Sequence, residues 1–251
     1  MRKEIYQQIV KKKDFSQLPK KDVERAYKNF EKRQVSDEEK IRLTRDLLRK
    51  VFSAFVSKKI LSLKNKDIEW ILRKHISTRE RLPYYKKLYS KLLKDFNEVS
   101  VIDLGAGING FSYNFFKNNV SYIGVEAVGQ LVELMNYYFK KKKLKAKSIH
   151  LSLFDIGALK KIIQKTKKPR MVFLFKTLDS LEMLEKDYSK KLLKEIAPLV
   201  DRIVISFATQ SLIKKTRFKV KRTWIINFIK ENFNLLNDFE LGGERYIIFS
   251  K

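Results

Sequence analysis

A glycine turn and a carboxylate placed downstream of it carry the densest chemical signal in the chain. The stretch Val99 to Phe111 reads VSVIDLGAGINGF, so Gly105, Gly107 and Gly110 fall at GxGxxG spacing straight after an apolar run that holds Asp103. Glycines at such a turn permit positive φ and let a ligand lie against the main chain. A second apolar run, Val120 to Val125, ends in Glu126. That acid follows the turn by about 20 residues, the offset at which a carboxylate accepts hydrogen bonds from the two hydroxyls of a ribose. The pair therefore points to a nucleoside-bearing ligand. Two kinds fit: a dinucleotide, or S-adenosylmethionine (SAM), whose methionine end faces the equivalent turn.

The elements that must position these residues discriminate between the two. From Val99 onward, candidate strands at 99–104, 120–125, 147–151, 170–175, 202–207, 235–240 and 245–249 alternate with helical stretches at about 110–118, 128–142, 156–168, 180–197 and 222–233. Parallel strands joined by helices build a doubly wound sheet. The last two strands leave no room for a helix, and Gly242-Gly243 supplies a hairpin turn instead. An α/β, Rossmann-like sheet of seven strands with an antiparallel last strand is the class I SAM methyltransferase pattern. A dinucleotide dehydrogenase would continue with parallel units and a substrate domain.

Residues 1–95 read as a separate N-terminal helical domain ahead of a methyltransferase domain at 96–251. Ile5, Ile9 and Val10 form a first stripe, Phe15 to Pro19 breaks it, and Val23, Ala26, Tyr27 and Phe30 form a second. Ser36 with Glu39 makes a capping box before a long amphipathic run through Phe55, and Asp67 opens a further segment. In His75 to Tyr85, HISTRERLPYY, Ser77 and Glu80 offer another capping box, and Pro83 marks a helix that starts or restarts and runs to about Asp95.

Composition narrows the partner. Lys and Arg number 56 against 28 acids, a net charge of +28 on 251 residues, which calls for a polyanion and favours nucleic acid over a membrane surface. No apolar run is long enough to span a bilayer and the N-terminus has no signal-peptide core, so a cytoplasmic protein without membrane attachment is expected. Cysteine is absent, which removes thiolate chemistry and cysteine zinc sites; His75 and His150 alone make no multi-histidine centre, so no metal is expected. Two basic runs could hold phosphates. Lys140 to Lys147 has six lysines in eight positions, where they also offset the negative end of a helix. Lys214 to Arg222, KKTRFKVKR, carries Lys214, Lys215, Arg217, Lys219, Lys221 and Arg222 after the fifth strand, at the edge where such sheets bind ligands. The second run is the preferred RNA-binding segment.

HISTRERL, IDLGAGINGF, IGVEAVGQ, FLFKTLDSLEML and ISFATQSL together resemble the aminoglycoside-resistance 16S ribosomal RNA methyltransferases of the Arm/FmrO type. The resemblance covers about residues 67–251 and implies SAM-dependent methylation of guanine N7 in the decoding region of the small ribosomal subunit by a monomeric enzyme. It implies that Arg81 pairs with the methionine carboxylate, that Gly105 and Gly107 let the cofactor lie on the turn, that Glu126 holds the ribose and that Asp155 faces the adenine. Phe175 and Lys176 would line the pocket where the donor meets the base. His75, Ser77, Ala106, Ala127 and Phe154 complete the implied cofactor-facing set. The chain departs from the family pattern at Asp179, where Pro is frequent, and at Gln210, where Arg is frequent, and it has Glu126 where Asp is common.

Guanine N7 carries a lone pair and no proton, so its methylation needs alignment rather than a general base. Phe175-Lys176-Thr177-Leu178 differs from the Asn-Pro-Pro-Tyr type of stretch that goes with exocyclic-amine methylation. The alternatives are an RNA-binding protein on a methyltransferase fold without the activity, and a methyltransferase acting on another RNA site.

Overall fold

A computed structural model of the chain describes residues 1–53, 67–210 and 222–251. Among the described residues six α-helices come first: α1 (Lys3–Val10), α2 (Lys20–Glu31), α3 (Asp37–Leu48), α4 (Ile68–Lys74), α5 (Ile76–Arg81) and α6 (Tyr85–Leu92). The α/β part follows as β1 (Glu98–Leu104), β2 (Asn119–Glu126), α7 (Gly129–Lys141), β3 (Ala146–His150), α8 (Ile156–Gln164), β4 (Arg170–Phe175), α9 (Leu178–Leu184), α10 (Tyr188–Ile196), β5 (Arg202–Ala208), α11 (Thr223–Asn232), β6 (Asn234–Leu241) and β7 (Glu244–Ser250).

The seven strands lie in the order β3-β2-β1-β4-β5-β7-β6. β1 to β5 are parallel, and β7 runs antiparallel to both neighbours, the topology the strand pattern predicts. β1 is central, with β2 on one side and β4 on the other, and Val99 to Leu104 are all buried, as a strand covered on both faces requires. The chain winds outward from β1 to β3 and then jumps back to β4. The carboxyl ends of β1 and β4 therefore diverge, and a crevice opens there. Register sets its floor: Leu104 lies opposite Val125, and the N–H groups of Gly105 and Ala106 both donate to Val125 O at 2.9 and 3.1 Å. The glycine turn is thereby tied to the end of β2, just before Glu126.

The helical segment joins the sheet's core. Ile5, Ile9, Val23, Ala26, Tyr27, Ile41 and Leu48 are buried and continuous with the apolar cluster around the sheet. Helix α2 is fixed to the α/β part by three polar contacts: Lys21 Nζ to Asp155 at 2.7 Å, Arg25 Nε to Glu185 at 2.7 Å, and Asn29 Nδ2 to Leu184 O at 3.1 Å. The expected cap at Ser36 forms, its hydroxyl accepting Glu39 N–H at 3.2 Å, and Asp67 caps α4 through Trp70 N–H at 3.3 Å.

Three local expectations change. The helix expected at about 110–118 is a 3-10 stretch, Asn109–Phe115. This stretch packs closely on α7, where a Cβ at Gly110 would sit 2.6 Å from Phe139 Cζ. The helix expected over 180–197 divides into α9 and α10 at Asp187, whose φ is +60°. The Glu182 carboxylate accepts the N–H groups of Asp187 and Ser189 at 2.6 and 2.8 Å, so the first helix caps the second. The capping box expected at Ser77 and Glu80 does not form. α5 begins two residues earlier, with His75 at its N-cap; Thr78 donates its hydroxyl to Leu72 O at 2.7 Å, and Glu80 turns to Lys176. Pro83 sits in a 3-10 turn ahead of α6, which ends at Leu92 rather than near Asp95.

Candidate cofactor and active site

The crevice at the β1 and β4 ends is a cavity of roughly 930 Å³ including its mouth, walled by both the α/β part and the helices. His75, Ser77, Arg81, Gly105, Ala106, Gly107, Glu126, Ala127, Phe175 and Lys176 all line it. Ten positions scattered over about a hundred residues of sequence thus converge on one cavity.

Its floor is the glycine turn. Gly105 has φ +73° and Gly107 φ +53°, values at which an L-residue is strained. A Cβ on Gly105 would come within 2.8 Å of Thr177 Cγ2 and 2.9 Å of its Oγ1, the hydroxyl that donates to Leu104 O at 3.1 Å. Gly105→Ala should cost about 2–4 kcal/mol, the left-handed backbone and the overpacking each contributing. Thermal unfolding measures it. Adding Thr177→Ala should recover the overpacking share, and an unchanged melting temperature in Gly105→Ala would contradict this account of the turn.

Beside the floor stands Glu126. Its Oε2 accepts Gly107 N–H at 2.8 Å and its Oε1 accepts Val128 N–H at 2.9 Å. Burial raises the pKa of this carboxyl, while the N–H groups of Val128, Gly107 and Ala127 oppose the shift. The carboxylate is held rigidly, with lone pairs left on each oxygen for a ligand.

At one end of the cavity the charges are positive. Arg81 is 4% exposed, and its Nε donates to Glu244 at 2.9 and 3.2 Å while Nη1 donates to Asn109 Oδ1 at 3.3 Å. The guanidinium lies over the Phe175 ring at 4.9 Å. Lys176, with φ +56°, closes the end of β4: its N–H bonds Ser206, and its Nζ pairs with Glu80 at 2.6 Å and Glu244 at 3.3 Å. His75 faces the same end; burial, then the charges of Arg81 and Lys176, bring its pKa down to about 3, so the imidazole is neutral at physiological pH.

Behind Arg81 runs a buried polar chain. Asn109 accepts from Tyr85 OH at 2.8 Å and donates to Asp103 at 2.8 Å, and Tyr122 OH donates to Asp103 at 2.7 Å. Sequence reasoning assigned no role to Asn109 or Glu244. Neither has a local signal: Arg81 meets Asn109 across 28 positions and Glu244 across 163.

Two cofactor-facing expectations are placed elsewhere. Asp155 does not line the cavity; its Oδ1 caps α8 by accepting Ala158 N–H at 3.2 Å, and its Oδ2 pairs with Lys21 at 2.7 Å. Phe154 lies one layer back, with Arg25 over its ring at 4.3 Å and Tyr188 packed 4.3 Å away. The acid on that side that does line the cavity is Asp22, from α2.

Of the basic segment, Lys214, Lys215, Arg217, Lys219 and Lys221 lie outside the described residues. Arg222 is engaged: Nε and Nη2 donate to Asp179 at 2.8 to 3.1 Å and Nη1 donates to Ala208 O at 3.1 Å. Asp179, a departure from the family pattern, thus has a dedicated partner. Among the described residues no group of three or more His, Asp and Glu side chains could hold a metal ion, and no helix is long and apolar enough to cross a membrane.

Three known structures superpose along almost their whole length. The 16S rRNA methyltransferase RmtF, in complex with S-adenosyl-L-homocysteine, matches with a TM-score of 0.80 at 16% identity, covering 100% of this chain and 99% of that one. The 16S rRNA methylase RmtB gives 0.78 at 18%, covering 99% and 97%, and an rRNA methylase from Escherichia coli gives 0.79 at 18%, covering 99% and 98%. At these identities the likeness establishes the fold. No curated protein matches the chain in sequence. The model of the FmrO ribosomal RNA methyltransferases, however, matches residues 26–228, most of the chain and both walls of the cavity. The chain therefore belongs to the FmrO family of ribosomal RNA methyltransferases.

Proposed function

We propose that the protein transfers a methyl group from SAM to N7 of a guanine in small-subunit ribosomal RNA, acting as a monomer in the cytoplasm. One observation carries the reading: a buried arginine, a left-handed glycine turn and a backbone-held carboxylate succeed one another along a single cavity. They match, in order, a carboxylate, a close main-chain approach and a pair of vicinal hydroxyls, which is the layout of SAM from its methionine end to its ribose. When bound, SAM supplies an electrophilic methyl on a sulfonium.

The chain's own groups do the rest. Arg81 grips a carboxylate through charge-assisted hydrogen bonds. Glu126 fixes the ribose, so that the donor end points toward Phe175 and Lys176 at the mouth. Glu80 and Glu244 are both salt-bridged to Lys176, and the His75 imidazole is shielded by burial and two cations. N7 attack has no proton to lose, so rate comes from in-line alignment. The target base must leave its stack to reach this depth. The helices of residues 1–95 cover the cofactor and join the basic surface in holding RNA, while residues 96–251 carry the transfer machinery; Lys214, Lys215, Arg217, Lys219 and Lys221 supply phosphate contacts, and Arg222 is tied to Asp179 and Ala208 at the end of that segment.

The test uses labelled SAM with the full-length protein and either naked ribosomal RNA or assembled small subunits. Label should enter the RNA, and borohydride reduction with aniline should then cleave it at one guanine. Label in RNA that resists cleavage would move the target to another atom. No label in either substrate would remove the activity.

A further inference from the structure

The far end of the cavity holds a buried carboxyl with one oxygen left unsatisfied. Asp22, the third residue of α2, is 2% exposed and lines the cavity; the Ser152 hydroxyl bonds its carboxyl, but its Oδ2 has no hydrogen-bond partner among the described residues. Buried acceptors are ordinarily paired, so an orphan aimed into a cavity marks where a ligand donor belongs. Neighbouring charges leave the site open. Arg25 is committed to Glu185 at 2.7 Å and to the Phe154 ring, and Lys21 is committed to Asp155. The Ser152 hydroxyl faces Asp22 while accepting Phe154 N–H at 3.1 Å. Burial lifts the Asp22 pKa to about 6 and Glu126 adds to it, while the Ser152 hydroxyl and the charge of Arg25 oppose the shift.

Position selects the donor. Arg81, Lys176 and His75 influence one another at one end of the cavity. Asp22 is coupled instead to Ser152, Glu126 and Arg25, on the β3 side. Glu126 lies between. If SAM lies with its carboxylate at Arg81 and its ribose at Glu126, the adenine falls beside Asp22, and the donor it presents there is the exocyclic amino group. Asp155, the acid expected to face adenine, has one oxygen capping α8 and the other paired with Lys21.

We propose that Asp22 accepts a hydrogen bond from the adenine amino group, so that helix α2 of the N-terminal segment forms part of the nucleoside-binding site. This rests on the SAM reading. It makes cofactor binding sense whether α2 is docked, because Lys21, on the same turn, latches α2 to the loop that would otherwise read the base.

Titration calorimetry on the full-length protein separates the two claims. The probes are S-adenosylhomocysteine and S-inosylhomocysteine, which differ in having an amino or an oxo group at that position of the purine. Wild type should bind the adenosyl ligand roughly 10- to 100-fold more tightly, the range for a hydrogen bond to a charged group. Asp22→Ala should lose most of that preference by weakening the adenosyl ligand. Asp22→Asn, which keeps the shape and stays folded if the alanine variant does not, should lose part of it. Equal affinity of wild type for the two ligands would overturn the proposal, as would an unchanged preference in the variants, in both cases with SAM use intact. Wild type binding neither ligand would instead remove the SAM reading, and this inference with it.

Discussion

Replacing Glu244 by Ala should lower the stability of the protein by about 3–5 kcal/mol and abolish measurable SAM binding, the largest effect expected of any single substitution in the site. The pair it breaks is buried on both sides, with the Arg81 side chain 4% exposed and that of Glu244 2%. Losing one partner strands the other charge in a medium that cannot solvate it. Glu244 also holds Lys176 at 3.3 Å and accepts the Ser206 hydroxyl, so three groups lose their anchor together. Burial alone would raise the Glu244 pKa; the charges of Arg81 and Lys176 outweigh it and hold it below the ordinary 4.5. A carboxyl depressed in the folded state stabilises the fold fully above its unfolded value, and that contribution drains away as pH falls below 4.5 toward the folded one. Wild type should therefore lose stability on acidification through that window, and Glu244→Gln, which keeps the volume but not the charge, should lose less. Denaturant unfolding at several pH values reads both effects. A midpoint unchanged in Glu244→Ala would show that Arg81 does not depend on this anchor.

What could be read ahead of the structure divides by the range of the interaction. The glycine turn, the strands on either side and Glu126 are encoded within a short window, and periodicity exposes them. Strand order follows from the alternation of strands and helices together with the missing helix before the final hairpin. Glu244 was illegible for the opposite reason. In sequence it is one more acid after Gly242-Gly243, and only closure of β7 against β5 brings it to Arg81. Asp22 is hidden likewise, as an acid in the first turn of an amphipathic helix, where acids are common. Asp155 differs, because its signal was present: an acid directly before a helical run is also a cap pattern, and in the structure its oxygens cap α8 and pair with Lys21 while the side chain stands outside the cavity lining. Lys176 combines the two cases: its place after β4 is legible, but its left-handed backbone and its pairing with Glu80 arise only when α5 packs over the sheet edge.

Glu126→Ala should weaken SAM binding by roughly 100- to 1,000-fold while leaving the fold in place. Two charge-assisted hydrogen bonds to ribose hydroxyls, at about 1.5–3 kcal/mol each, convert to that range once the partial replacement of both by water is allowed for. The carboxylate suits the task because the protein has already oriented it. Gly107 and Val128 N–H groups grip opposite oxygens at 2.8 and 2.9 Å, so binding need not freeze the side chain. The same grip predicts a limited stability cost, since the two N–H groups face a cavity that water can enter once the carboxylate is gone. Glu126→Asp is the sharper variant. It keeps the charge and shortens the reach by one methylene, so it cannot hold both N–H groups and both hydroxyls at once, and affinity should fall between wild type and alanine. Calorimetry with SAM gives the affinities and circular dichroism the fold. Wild-type affinity in Glu126→Ala would mean that the ribose is held elsewhere, and the order of arginine, glycine turn and carboxylate along the cavity would then have another explanation.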